Sequence, residues 1–388
     1  MRIGITCYPT YGGSGVVATE LGIELAALGH EVHFISYSQP FRLSGRETGI
    51  YYHEVPVSNY PLFEFPPYDL ALASRMAEVA EYYHLDLLHV HYAIPHSVSA
   101  LLARQMLAER GKHLPFVTTL HGTDITLVGM DRSYLPITRY AIQQSDGVTS
   151  ISSYLKDVTE TNFGITRPIE VVHNFVNCDV YLPWTEKEAQ ARSLTREQAR
   201  AKLAAPDEFL LTHLSNFRPV KRVADVVQIF ARVAKELPAR LALIGDGPDR
   251  STAEWLAHSL GIHDRVHFLG KQDRVNELLP LADLMLMPSE LESFGLAALE
   301  AMACQTPAIA TRVGGVPELI TDGVDGLLFR VGDVDAMAAA SIALLSDREG
   351  HQTMRKAARK TAQDRFCSTR ILPRYIQFYE SLLNQAQP

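Results

Sequence analysis

The chain is poor in cysteine, in basic charge and in long apolar runs, and each shortage excludes a class of protein. Its four cysteines, Cys7, Cys178, Cys304 and Cys367, lie far apart in 388 residues and form no CxxC pair. That spacing supports neither a disulfide framework nor a zinc knuckle. No stretch reaches the roughly 18 uninterrupted apolar residues of a membrane span. The opening segment Met1–Gly15 lacks the basic-then-apolar layout of a signal peptide and runs straight into a strand and a Gly-rich turn. A reduced, cytoplasmic protein without a membrane partner is therefore expected. Lys plus Arg (36) falls short of Asp plus Glu (44), a formal net charge of −8. No broadly basic face for nucleic acid is expected from that balance. With 47% hydrophobic residues there is ample material for cores, so a largely disordered chain is excluded.

What is present is an alternation of buried strands and amphipathic helices. Arg2–Cys7 is a short apolar run, followed by the turn Gly12-Gly13-Ser14-Gly15. Val17, Leu21, Leu25 and Leu28 then recur at helical spacing until Gly29, and Glu31–Tyr37 reads as a second strand. Further strands are expected at 85–92, 116–120, 147–150 and 169–172, and helices at 73–82 and 97–109. After a change of character at Asn174–Pro183, a polar helix is expected from Lys187 to about Leu203. Strands then resume at 210–214, 241–244, 266–269, 284–287 and 308–310. This is an α/β chain of two successive Rossmann-like halves with parallel sheets. The tail Thr369–Gln387 reads as an amphipathic helix, its apolar set being Ile371, Leu372, Tyr375, Phe378, Tyr379 and Leu382.

The residues that carry chemistry fall after strands. In the Gly12–Gly15 loop, glycines let backbone approach a ligand and the helix start favours an anion. The GxGxxG dinucleotide spacing is absent, which disfavours a dehydrogenase. The strongest signal is Ser289–Leu296 followed by Glu300. A helix is expected from about Phe294, and the amides of Phe294, Gly295 and Leu296 are placed to hold phosphate. Eight helical steps would separate Glu292 from Glu300 by about 12 Å, beyond the roughly 5–9.5 Å of a hydrolytic carboxylate pair. Ser215–Arg222, with Asn216, Arg218, Lys221 and Arg222, supplies positive charge after another strand. His121-Gly122-Thr123-Asp124 follows the strand at 116–120, with Asp124 as the expected partner of the His121 imidazole. His89 and His91 share one strand face with His96 beyond, but no Asp/Glu/His set completes a metal site, and no metal or cofactor is expected. Tyr92 is expected on the opposite face of that strand.

Glu292-x7-Glu300, Gly245-Asp246-Gly247-Pro248 and Gly314-Gly315-Val316-Pro317-Glu318 together resemble the family-4, retaining GT-B glycosyltransferases, over essentially the whole chain. The resemblance implies a nucleotide-sugar donor bound in a cleft between two Rossmann-like domains. It implies an acceptor-side domain, 1–177 with the returning helix 369–388, and a donor-binding domain, 178–368. Glu300 would hold the ribose hydroxyls, Glu292 would lie by the transferred sugar, and His121 would approach that sugar. Many members carry Arg where this chain has Asn216. Further segments, among them His89–His96, Thr118–Thr126 and Phe268–Arg274, are similar to a branch of the family that moves GlcNAc from UDP-GlcNAc to the hydroxyl of L-malate, the first step of bacillithiol biosynthesis. On that resemblance the catalytic residues are His121, Lys221 and Glu292. The donor contacts are Gly13, Asn216, Arg218, Lys221, Gly270, Lys271, Gln272, Phe294, Gly295, Leu296 and Glu300, with uracil near Gly270–Gln272. The acceptor contacts are Ser14, Tyr92, Thr119 and Asn174. A homo-oligomer is compatible with the sequence. Three alternatives stay open: a different acceptor, a GT-B UDP-GlcNAc epimerase, and a non-catalytic UDP-sugar-binding protein.

Overall fold

The structure is a computed structural model that describes all residues except 11, 44, 59–60, 186–189, 191–193 and 386–388. The chain divides into two compact units, 1–174 with 369–388, and 175–368. The division falls after Asn174 rather than after Asn177. Val176 already pairs with Cys367, so these residues belong to the second unit.

In the first unit the strands are β1 (Arg2–Thr6), β2 (Glu31–Ser36), β3 (Ile50–Glu54), β4 (Leu87–His91), β5 (Phe116–Leu120), β6 (Gly147–Ser150) and β7 (Ile169–Val171). They form a parallel sheet in the order β3-β2-β1-β4-β5-β6-β7. The second unit repeats the plan with β8 (Phe209–Ser215), β9 (Ala239–Gly245), β10 (Val266–Gly270), β11 (Leu284–Met287), β12 (Ala308–Thr311) and β13 (Gly326–Phe329), in the order β10-β9-β8-β11-β12-β13. Parallel strands covered by helices are buried on both sides, which is why β4, β5 and β11 are buried throughout. In each sheet the order reverses between the first strand and the fourth. Loops leaving the carboxyl ends there, after β1 and β4 and after β8 and β11, are where such folds bind ligands. Strands β3 and β13, both at sheet edges, were not expected from the sequence.

The helix expected from Lys187 is seen as Arg196–Arg200, and Lys187 itself lies outside the described residues. The tail forms a helix over Ser368–Gln385, and Gln387 is likewise outside them. This helix packs on the first unit. Tyr379 donates to or accepts from His89 Nδ1 at 2.7 Å, and a side chain on Gly147 would strike Phe378 and Leu382 at 2.7 Å. Among the described residues, no helix is long and apolar enough to cross a membrane.

Candidate functional site

In the first unit the Gly-rich loop leaves β1 and enters the helix Gly13–Ala27. Gly15 is required by close packing, because a Cβ there would lie 2.5 Å from the Tyr8 carbonyl and 2.8 Å from that of Thr10. Gly13 faces open space, and no side chain caps the helix start, so its first amides are available to a ligand. Ser14 is half-buried beside them.

Below this loop lies a group of buried imidazoles. His91 Nδ1 and His121 Nε2 are 2.8 Å apart and share one proton, while His96 Nδ1 donates to the His91 carbonyl at 2.6 Å. Burial depresses all of them, holding His121 near a pKa of about 3 and His96 near about 4, with His91 also well down. His121 is therefore a neutral hydrogen-bonding group at physiological pH. Asp124 does not bind its imidazole as expected. Its carboxylate accepts from the amides of Ala93 (2.9 Å), Gly122 (2.8 Å) and His121 (3.2 Å), and burial raises its pKa. Asp124 thus braces the loop, and its engaged oxygens make it a poor nucleophile.

Tyr92 also departs from expectation. Strand β4 ends at His91, and Tyr92 turns at φ +90°, breaking the alternation. Its ring stacks on His121 (centroids 5.6 Å apart) and meets Tyr8 edge-on at 5.3 Å. Tyr8, which sequence reasoning missed, also touches the His96 ring at 4.7 Å, and burial pushes its phenol up to about 12. Its only signal was its place after β1. Thr119 is fully buried, with its hydroxyl against His89 Nε2 and the Thr149 hydroxyl, both at 2.6 Å. Committed to the core, it is removed from the acceptor contacts. Asn174, by contrast, is buried with Oδ1 unpartnered.

In the second unit, the loops after β8 and β11 meet. Lys221 Nζ donates to Glu292 Oε1 at 2.6 Å, and the Ser289 hydroxyl donates to the same oxygen at 2.9 Å. The loops are tied by Glu290 N–H to the Val220 carbonyl at 2.8 Å. Arg222 is held by Asp225 at 2.7 Å, whereas Arg218 is exposed and forms no ion pair among the described residues. Arg218 is therefore the second cation available to an anionic ligand. Asn216 Oδ1 is buried without a partner. The Gly245–Gly247 turn presses against this segment from behind: a Cβ on Gly245 would lie 1.8 Å from the Ser215 carbonyl, and one on Gly247 2.0 Å from that of Asn216.

The helix after Glu292 begins at Leu296, with Gly295 at φ +98°, two residues beyond the expected start near Phe294. Glu292 thus belongs to the loop, and helical rise does not set its distance from Glu300. The helix start has neither a side-chain cap nor an acidic residue in its first turn, so no side chain competes for its first amides. The Phe294 ring is buried edge-on to Phe366, so only its backbone could serve a ligand. Glu300 is buried and accepts a 2.6 Å hydrogen bond from the Tyr181 hydroxyl, another residue without a sequence signal. At the sheet edge, Gly270 closes β10 at φ +68°, Gln272 donates to the Leu269 carbonyl at 2.6 Å, and Lys271 is exposed. Among the described residues, no cluster of three His, Cys, Asp or Glu could hold a metal ion.

Two parallel-sheet Rossmann-like units, each with its polar loops at the strand-order reversal, define a GT-B glycosyltransferase, and the chain belongs to that family. Residues 11–180 match the model "Glycosyltransferase Family 4", and residues 195–361 match "Glycosyl transferases group 1". Along 383 residues the chain is 50% identical to the N-acetyl-alpha-D-glucosaminyl L-malate synthase of Bacillus anthracis, covering 99% of this chain and 97% of that one. Among solved structures it is similar to sucrose-phosphate synthase from Thermosynechococcus elongatus (TM-score 0.77, 21% identity, 99% and 100% of the two chains). It is also similar to Anabaena HepE in complex with UDP-glucose (TM-score 0.77, 19% identity, 98% and 100%).

Proposed function

We propose that this protein is a cytoplasmic enzyme that transfers GlcNAc from UDP-GlcNAc to the hydroxyl of L-malate with retention, releasing UDP, as the first step of bacillithiol biosynthesis. The observation that carries this reading is the 50% identity to the Bacillus anthracis synthase over nearly the full length of both chains. The site geometry supports it: a cationic, amide-rich loop pair in the second unit suits a diphosphate, and neutral hydrogen-bonding groups in the first suit sugar and acceptor hydroxyls.

In this reading the second unit holds the donor. Lys221 and Arg218 balance the diphosphate, assisted by the amides of Gly295 and Leu296. Glu300, oriented by Tyr181, anchors ribose, and uracil lies by Gly270–Gln272. Glu292 orders sugar hydroxyls. His121, neutral and stacked on Tyr92, contacts the sugar. Ser14, Tyr92 and Asn174 hold malate. The malate hydroxyl attacks the anomeric carbon on the face that UDP leaves, the carbon–oxygen bond to the phosphate breaks with its electron pair going to UDP, and the hydroxyl proton passes to the departing phosphate oxygen. Catalysis rests on stabilising that phosphate and on positioning. With Asp124 committed to three amides, no carboxylate of the first-unit site is offered as a covalent nucleophile.

The test is incubation with UDP-GlcNAc, with and without L-malate, following UDP and sugar products by mass spectrometry. Malate-dependent UDP release with formation of GlcNAc-malate is expected. UDP release indifferent to malate, with no such product, overturns the assignment.

A further inference from the structure

The second unit carries another charged cavity, at the end of its sheet away from the loops described above. It has a volume of about 650 Å³ and is bordered by Trp184, Arg196, Phe209, Asp283, Arg348 and Arg355. Phe209 opens β8 and Asp283 immediately precedes β11, so the cavity sits at the amino ends of the strands whose carboxyl ends bear Lys221 and Glu292.

Charge in this cavity is out of balance. Three guanidiniums converge on the single Asp283 carboxylate: Arg200 at 2.6 Å, and Arg196 and Arg355 each at 3.6 Å. Their side chains are largely buried, Arg200 and Arg355 at 9% and 12% exposure. Backbone carbonyls of Pro280, Leu281 and Ala282 fix their orientation but carry no formal charge to neutralise them. The imbalance registers on Arg355, which burial pulls down to about 10, with Arg196 and Arg200 pushing the same way against Asp283. Arg348 at the rim is exposed and makes no ion pair among the described residues. Two further carboxylates line an adjoining cavity of about 370 Å³: Glu197, which acts on Arg196 from the exposed side and offsets part of its charge, and Glu208, already bound to Arg240 at 2.7 Å, so Arg355 and Arg348 keep the uncompensated charge.

We propose that this cavity binds a small organic phosphate, with Arg196, Arg355 and Arg348 holding the phosphate and Trp184 and Phe209 flanking its organic body. Guanidinium forks suit phosphate oxygens better than a lysine would. The volume lies within the roughly 300–1,000 Å³ of small-molecule sites, more than a bare inorganic ion would fill. This site is separate from the proposed donor and acceptor residues and does not depend on the reaction assigned to them.

The chain has two tryptophans, so Trp255→Phe leaves Trp184, in the cavity wall, as the sole tryptophan, excited selectively over the tyrosines at the red edge of the absorption band. Titration of that variant with sodium pyrophosphate at constant ionic strength should give a saturable change in emission. Adding Arg355→Gln should weaken the apparent affinity at least about tenfold, the scale of losing one buried charge-assisted contact. Arg348→Gln, which removes an exposed side chain and leaves the fold alone, should weaken it about threefold. Adding Lys221→Met should leave the titration unchanged. A response that never saturates, that sodium chloride reproduces, or that Lys221→Met abolishes overturns the proposal. Tighter binding of malonate than of pyrophosphate overturns the choice of phosphate.

Discussion

Glu292→Gln should strengthen UDP binding while impairing turnover, an outcome opposite to that of removing an ordinary ligand contact. The Glu292 carboxylate sits 2.6 Å from the Lys221 ammonium, the group proposed above to balance the diphosphate. The two side chains are 13% and 21% exposed, so the pair is stronger than a solvated surface bridge and weaker than a fully buried one. Exposed pairs contribute up to about 1 kcal/mol, and hydrogen bonds to charged groups about 1.5–3 kcal/mol. Between those bounds, about 1–2 kcal/mol now opposes capture of Lys221 by phosphate, equivalent to about 5–30-fold in affinity. Replacing the carboxylate by an amide removes both the competition and the repulsion between two anions. Isothermal titration with UDP should therefore show tighter binding by that factor, with the gain shrinking as salt rises. Steady-state turnover of UDP-GlcNAc should fall, because Glu292 is assigned to the sugar hydroxyls. An unchanged or weakened UDP affinity would refute the reasoning, since Lys221 would then not be the group for which carboxylate and diphosphate compete.

Two further perturbations separate scaffold from site. Gly247→Ala should destabilise the protein by more than about 2 kcal/mol in urea unfolding, since its Cβ would fall 2.0 Å from the Asn216 carbonyl. Gly13→Ala, with open space around it, should change stability by less than about 0.5 kcal/mol yet slow glycosyl transfer; equal stability losses would contradict this. Acid should also unfold the protein by a route its histidines specify. His89, His96 and His121 are held near about 3, 4 and 3, and His91 is likewise depressed, against an ordinary 6.5. Depressed values mean that the unfolded chain binds protons the folded chain refuses. Stability is thus complete above about pH 6.5 and is lost as pH falls toward 4, by up to about 1.4 kcal/mol per pH unit per histidine. The raised pKa of Asp124 acts in the opposite sense. Potentiometry at pH 5 should detect net proton uptake on unfolding, and His96→Asn should lower it by about one proton; no uptake would contradict the buried neutral state.

Much of the architecture was legible because its signals are local. A strand buried on both faces must be a short apolar run, and 116–120, 147–150 and 284–287 appear with the boundaries their composition implies. The edge strands Ile50–Glu54 and Gly326–Phe329 went unread: both are partly exposed, the first is interrupted by polar residues, and the second is an apolar run of only three side chains behind a glycine. Positions at carboxyl ends were also readable, so the segments that hold His121, Lys221 and Glu292 could be located along the chain, and the family resemblance then picked out those residues within them.

What those residues touch was decided by the folded chain. Lys221 meets Glu292 across 71 residues, Tyr181 meets Glu300 across 119, and Tyr379 meets His89 across 290. Asp124 turned from the imidazole to three amides, and Tyr92 turned onto His121, because a positive φ ended the strand one residue early. Periodicities of 2 and 3.6 report which face of an element is apolar. They carry no record of which strand lies beside which, and strand order is what brings the switch-point loops together. The amino-acid sequence by itself therefore determined two Rossmann-like units and the chemistry available at their loop ends. Tertiary structure determined which charges are paired, which imidazoles are neutral, and where cationic charge remains unbalanced.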